Sequence, residues 1–179
     1  LPAKSIDDYT RLASQVTGEN GILTNINRAA LKYVPETSIE AVPSAVKNFI
    51  SMQATLKGDA GKVTREVMDY LPEYGKKIGR ANAEDIYSSM KQLEQQGYQL
   101  INSSTDMSPN LRNEQLGKSY LAAADELEMA LDKGVGGAKI LDQFKTPEVM
   151  SALSNISPKL AQKVQAAKSY SEFRNIQKD

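Results

Sequence analysis

Residues 82–101 read NAEDIYSSMKQLEQQGYQLI, and this stretch decides the fold class. Asn82 precedes two acidic residues, which is typical of a helix N-cap followed by a first turn that favours negative charge. The apolar positions then alternate in steps of three and four, as they do along one face of an α-helix. They are Ile86, Met90, Leu93, Gly97, Leu100 and Ile101. The stretch therefore predicts a long helix with a coiled-coil-like seam, in which Gly97 is a point of close approach.

Helical spacing continues on both sides of this stretch. Upstream, four apolar stripes each end at or before a glycine or a proline; they cover residues 6–16, 22–33, 42–56 and 63–71. Residues 73–81 contain two glycines and predict a short turn or a broken helix. Lys76, Lys77 and Arg80 form a small basic cluster within this segment.

Downstream, Ser-Pro and Thr-Pro pairs predict where helices begin, because serine and threonine favour the N-cap and proline fits the first helical position. Ser108-Pro109 predicts a long helix, and Thr146-Pro147 and Ser157-Pro158 predict two shorter ones. A last turn is expected to begin at Ser171 or its neighbours. Residues 134–137 read GVGG, and we expect them to break the chain as a flexible hinge between helices.

These patterns predict an all-α fold of about eight helices without a β-sheet, since no segment alternates with period two. We expect a multi-helix bundle formed by residues 1–179 as a single helical domain, or as two packed sub-bundles that meet near residues 102–108. The chain begins with Leu1-Pro2 and not with methionine. We therefore expect it to be a fragment of a longer protein.

The composition excludes several kinds of chemistry. The chain has 179 residues and contains no histidine, cysteine or tryptophan. Disulfides, thiolate nucleophiles, zinc fingers, Ser-His-Asp triads and imidazole ligands are therefore ruled out. We expect no cofactor and no metal site, because the acidic residues between positions 125 and 132 lack the EF-hand pattern.

Glu19 is the one weak catalytic candidate. It follows Gly18, lies between two predicted helices and could face a cleft. A glycosidase needs a second carboxylate nearby, and the sequence singles out none. A carboxylate-dependent glycan hydrolase of helical fold is accordingly kept as an alternative function.

A weak basic face is predicted in the C-terminal third, formed by Lys159, Lys163, Lys168 and Arg174. It could meet an acidic partner, a nucleic acid or lipid headgroups, or it could dock on the acidic helix of the same chain. The chain as a whole balances 22 basic against 22 acidic side chains. Nucleic-acid binding usually requires a basic excess, so it is a minor alternative.

We expect a non-enzymatic structural or protein-interaction module of a larger protein. The scarcity of catalytic residue types and the seam of residues 86–101 motivate this expectation. Protein partners are predicted, and a homo-oligomer is left open. A segment of a phage virion-associated or secreted effector protein is an alternative, because a cysteine-free chain suits passage between compartments. No signal peptide or membrane span is visible, so we expect a soluble protein of unassigned location.

Overall fold

The computed structural model describes residues 19–137 and 140–178. Helices dominate this part of the chain, which confirms the all-α fold class. The α-helices within it are α1 (Glu19–Leu31), α2 (Val42–Ser51), α3 (Ala60–Met68), α4 (Glu73–Ile78), α5 (Ala83–Asn102), α6 (Leu111–Gly137), α7 (Pro147–Ile156), α8 (Pro158–Ala166) and α9 (Tyr170–Lys178). Two 3-10 turns accompany them, Lys57–Asp59 and Ile140–Lys145. The helix predicted over residues 6–16 lies outside the described residues.

A minimal antiparallel ladder corrects the prediction that there is no β-sheet. Strand β1 (Thr37–Ser38) pairs with strand β2 (Arg80–Ala81), and Thr37 lies opposite Ala81. Two residues per strand are too few to show an alternation of period two, so the sequence pattern carried no signal for them.

The chain divides into two compact units. The central unit is Glu36–Leu131, and the terminal unit combines Leu1–Pro35 with Asp132–Asp179. Helix α6 contributes its residues up to Leu131 to the central unit and the remainder to the terminal unit. The segment 102–108, predicted as a sub-bundle boundary, lies within the central unit.

The prediction that residues 134–137 interrupt the helical structure is wrong, because α6 continues through Gly137. Val135 within this segment is only 1% exposed. A glycine costs a helix only about 1 kcal/mol relative to alanine, so buried apolar packing can outweigh it. The flexibility of this segment stays a prediction.

Helix α5 packs inside the central unit along the predicted seam. Ile86, Met90 and Leu93 are buried, and Gly97 lies against Gly117 of α6. The predicted close approach at Gly97 is confirmed. Because the seam from Ile86 to Gly97 is buried within the chain, it leaves no face there for a partner.

The terminal unit is built around aromatic side chains. The ring centroids of Phe144 and Phe173 lie 4.5 Å apart, and those of Tyr170 and Phe173 lie 6.4 Å apart. Helix α7 packs against α8, and α1 contacts the 3-10 turn Ile140–Lys145. Gln177 Nε2 of α9 donates a hydrogen bond to Thr24 Oγ1 of α1 at 3.1 Å. This bond links the two chain segments that form the unit.

Three predicted N-caps are confirmed and one is wrong. The side chains of Asn82, Thr146 and Ser157 accept hydrogen bonds from backbone amides of α5, α7 and α8. Ser108 does not cap α6, because its backbone forms a turn with Thr105. The residue that caps this helix is Asn110, which accepts from the backbone N–H of Asn113 at 3.0 Å.

Candidate interaction site

A cleft of about 500 Å³ lies in the central unit beside α4. Its walls come from the segment after β1, the start of α2, the residues that end and follow α3, and α4 itself with Gly79. Ligand pockets in proteins typically range from about 300 to 1,000 Å³, so the cleft can hold one or two large side chains.

The floor of the cleft is apolar and buried, whereas the neighbouring face of α4 is apolar and exposed. Ile39, Met68 and Leu71 line the floor, and each is at least nine-tenths buried. Ile78 lines the cleft and is 41% exposed, and Tyr74, one helical turn earlier, is 63% exposed. Large apolar side chains grouped at a concave surface are a common mark of a binding site.

The position of α4 is determined by its two ends. Pro72 precedes the helix, and Gly79 ends it in the left-handed conformation, with φ of 73°. A residue with a Cβ adopts this conformation only with strain, so glycine suits the position. The carbonyl oxygen of Gly79 then accepts a hydrogen bond from the backbone N–H of Ile39 at 2.8 Å. This bond ties the end of α4 to the segment that follows β1.

Gly75 brings α4 into close contact with the floor of the cleft. A Cβ atom on Gly75 would lie 2.9 Å from Ile39 Cδ1 and 3.2 Å from the Cβ of Ala81. A larger residue would therefore force either the Ile39 side chain or the helix to shift. The wall of the cleft is formed by packing within the chain and does not require a ligand to assemble it.

The charges at the rim are partly neutralised. Lys76 Nζ lies 2.9 Å from Glu73 Oε1 and 3.8 Å from Asp69 Oδ1. The hydrogen bond and the charge of Lys76 lower the pKa of the exposed Glu73 carboxyl. Exposed pairs of this kind add little to stability, but they leave Lys76 with little net attraction for a ligand.

Two other charged side chains lie at the rim, and the charge of one of them, Lys77, also lowers the pKa of Glu73. Lys77 and Glu40 both line the cleft and are exposed, and within the described part of the chain neither side chain forms an ion pair. Arg80 lies nearby in sequence, and its guanidinium donates to the backbone carbonyl of Glu36 at 3.1 Å. The cleft thus offers an apolar floor with one cation and one anion at its rim that are not held in the ion pairs of the described residues.

The catalytic role considered for Glu19 stays a prediction. Glu19 is the first residue of α1, and its side chain lies outside the described residues. Among the side chains that the structure describes, no aspartate or glutamate is buried. No group of three potential metal ligands occurs in the described ranges either.

Of the four residues predicted to form a basic face, three are exposed and one is buried. Lys159 and Lys163 are exposed one turn apart on α8, and Lys168 is exposed beyond its end. Arg174 is only 1% exposed, and its Nη1 donates to Gln177 Oε1 at 3.3 Å within the terminal unit. A guanidinium buried in this way does not present its charge to a partner.

The acidic helix contacts the C-terminal segment through Asp132. Asp132 Oδ1 accepts a hydrogen bond from the backbone N–H of Tyr170 at 2.8 Å and a longer one from that of Ser171 at 3.4 Å. Asp132 therefore occupies the N-terminus of α9, where the helix dipole favours a negative charge.

Sequence reasoning missed the cleft, because its floor combines residues that are far apart in the chain. Ile39 and Leu71 are separated by more than thirty positions and belong to different predicted elements. The only local signal was the pair of glycines at positions 75 and 79 beside the small basic cluster. That signal indicated an irregular segment and gave no indication of its apolar neighbours.

Comparison with known proteins identifies no relative from which a function could be inferred. No protein-family model matches the chain, and neither a curated protein nor a solved structure matches it. None of the helices in the described ranges is long and apolar enough to cross a bilayer. The chemistry of the cleft is therefore the main basis for a functional proposal.

Proposed function

We propose that this chain is a non-enzymatic interaction module of a larger protein, and that it binds a protein partner at the α4 cleft. The observation that carries the proposal is the exposed Ile78 in the wall of a cleft with a buried apolar floor, together with the exposed Tyr74 one turn earlier on the same helix. Exposing these side chains to water is unfavourable, and a partner that covered them would gain the corresponding free energy.

The geometry of α4 supports a binding role more than a catalytic one. A general acid in a glycosidase needs a carboxyl whose pKa is raised by its surroundings. Beside this cleft, the carboxyl with a resolved shift in pKa is Glu73, and Lys76 lowers that pKa. The cleft therefore gives no support to the alternative of a glycan hydrolase. The alternative of a segment from a virion-associated or secreted effector protein stays a prediction.

Site-specific photo-crosslinking tests the proposal. The full chain would carry p-benzoylphenylalanine in place of Tyr74, and a matched variant would carry it in place of Tyr98. Tyr98 lies on α5 of the same unit and is exposed to a similar extent, 54% against 63%. Both variants would be irradiated in an extract of the source cells, and crosslinked products would be resolved by mass.

The expected result is one protein captured through position 74 and not through position 98. Its capture should be lost when Ile78→Glu is added, with the urea unfolding midpoint showing that this variant remains folded. Equal capture from both positions, no capture, or capture that is insensitive to Ile78→Glu would each contradict binding at the cleft.

A further inference from the structure

We propose that the cleft recognises a linear peptide segment in which an apolar anchor lies between an acidic and a basic side chain. This inference rests on the proposed function and specifies the chemistry of its partner. The arguments for it are the size of the cleft and the two rim charges, Lys77 and Glu40, that are not held in the ion pairs of the described residues.

The size of the cleft selects a short segment over a broad folded surface. About 500 Å³ accommodates one or two side chains, whereas stable contacts between folded proteins cover roughly 800 Å² on each partner. The anchor would lie over Ile39 and Leu71 and against Ile78, where apolar atoms surround it. A peptide can insert one side chain at such a site and leave the rest of its length in solvent.

The rim then determines which residues flank the anchor. Lys76 lies in ion pairs with Glu73 and Asp69, and these reduce its attraction for a ligand. Lys77 can pair with an acidic side chain of the peptide, and Glu40 can pair with a basic one. Complementary charges of this kind contribute to specificity and orientation more than to affinity.

The preformed wall supports recognition of a flexible segment. Close packing at Gly75 and the hydrogen bond from Ile39 to Gly79 hold α4 in place without a ligand. The peptide would lose conformational freedom on binding, but the cleft would not have to assemble. We therefore expect modest affinity and a clear sequence preference.

A display library of random linear peptides, panned against the full chain, is the experiment. The expected selection is enriched in peptides with an aromatic or aliphatic residue flanked by an acidic residue on one side and a basic residue on the other. Ile78→Glu should reduce the affinity of the chain for a selected peptide by more than about tenfold. Lys77→Glu should reduce that affinity about two- to fivefold, as expected for the loss of an exposed ion pair.

Charge reversal distinguishes recognition from general attraction. Panning against Lys77→Glu should remove the preference for the acidic flank, and panning against Glu40→Lys should remove the preference for the basic flank. Lys91→Glu, an exposed change on α5 outside the cleft, is the matched control and should change neither preference. Urea midpoints would confirm that all four variants are folded.

Each other outcome overturns the inference. Peptides that bind the cleft without charged flanks would leave the interaction module standing and remove this description of its partner. Peptides whose binding does not respond to Ile78→Glu would bind elsewhere. If panning enriches nothing while crosslinking at position 74 still captures a protein, then the partner presents a folded surface and not a linear segment.

Discussion

The carbonyl oxygen of Gly117 lies 2.9 Å from the position that a Cβ atom on Gly97 would occupy. The relationship is reciprocal, because the carbonyl oxygen of Gly97 lies 2.6 Å from the corresponding position on Gly117. Helices α5 and α6 therefore cross with their backbones in contact, and neither position has room for a side chain.

Alanine at this crossing should destabilise the central unit. We expect Gly117→Ala to lower the free energy of unfolding by about 1–3 kcal/mol, because overpacking against a backbone exceeds the gain in helix propensity. Gly61→Ala in α3 is the matched control, since a Cβ there meets nothing within 4 Å. It should be neutral or stabilising by up to about 1 kcal/mol. Urea denaturation measures both, and equal midpoints would contradict the close crossing.

Replacing Asn27 in the terminal unit should stabilise the chain. Its side chain is fully buried, and neither its Nδ2 nor its Oδ1 has a hydrogen-bond partner in the structure. A buried amide without hydrogen bonds costs about 1–3 kcal/mol. Asn27→Leu, which has a similar shape, should therefore raise the free energy of unfolding by about that amount. A lower urea midpoint in Asn27→Leu than in the unmodified chain would show that the amide is satisfied in solution.

Asp132 should hold the start of α9 in place. Its carboxylate accepts from the backbone N–H groups of Tyr170 and Ser171, so Asp132→Ala removes a cap that contributes about 0.5–2 kcal/mol. We expect faster amide hydrogen exchange in α9, with Asp132→Asn showing a smaller effect. Asp142→Ala, which changes an exposed acid of the same unit, is the control. Unchanged exchange in α9 of Asp132→Ala would rule out the capping role.

Tyr120 should ionise at unusually high pH. Burial, followed by the charge interactions with Tyr70, Glu66 and Asp69, raises its pKa from 10.0 to about 12. The two rings meet edge to face, with centroids 5.4 Å apart. Ultraviolet titration should show a late tyrosinate component that is lost in Tyr120→Phe.

The same shift has a consequence for stability. A pKa raised in the folded state means that Tyr120 contributes its full stabilisation below about pH 10 and loses it as the pH rises towards 12. The unmodified chain should therefore lose more stability across this interval than Tyr120→Phe does. Parallel losses in the two proteins would contradict the shift.

Local patterns predicted much of the fold. The apolar spacing of residues 86–97 predicted both the burial of that face and the close approach at Gly97. Asn82, Thr146 and Ser157 were predicted as caps because a cap involves only the four residues around it. The prediction that Ser108 caps α6 was wrong. Asn110, two positions later, is an equally suitable cap residue, and the turn that precedes α6 determined which of the two is used.

The sequence by itself determined the helical fold class, most helix positions and the absence of histidine and cysteine chemistry, because these follow from residue type and short-range spacing. Only the tertiary structure decided that the seam of α5 is internal, that Arg174 is buried and that α6 continues through its glycines. It also decided where the cleft lies. Each of these depends on packing between residues distant in the chain, and that packing outweighs local preferences of about 1 kcal/mol.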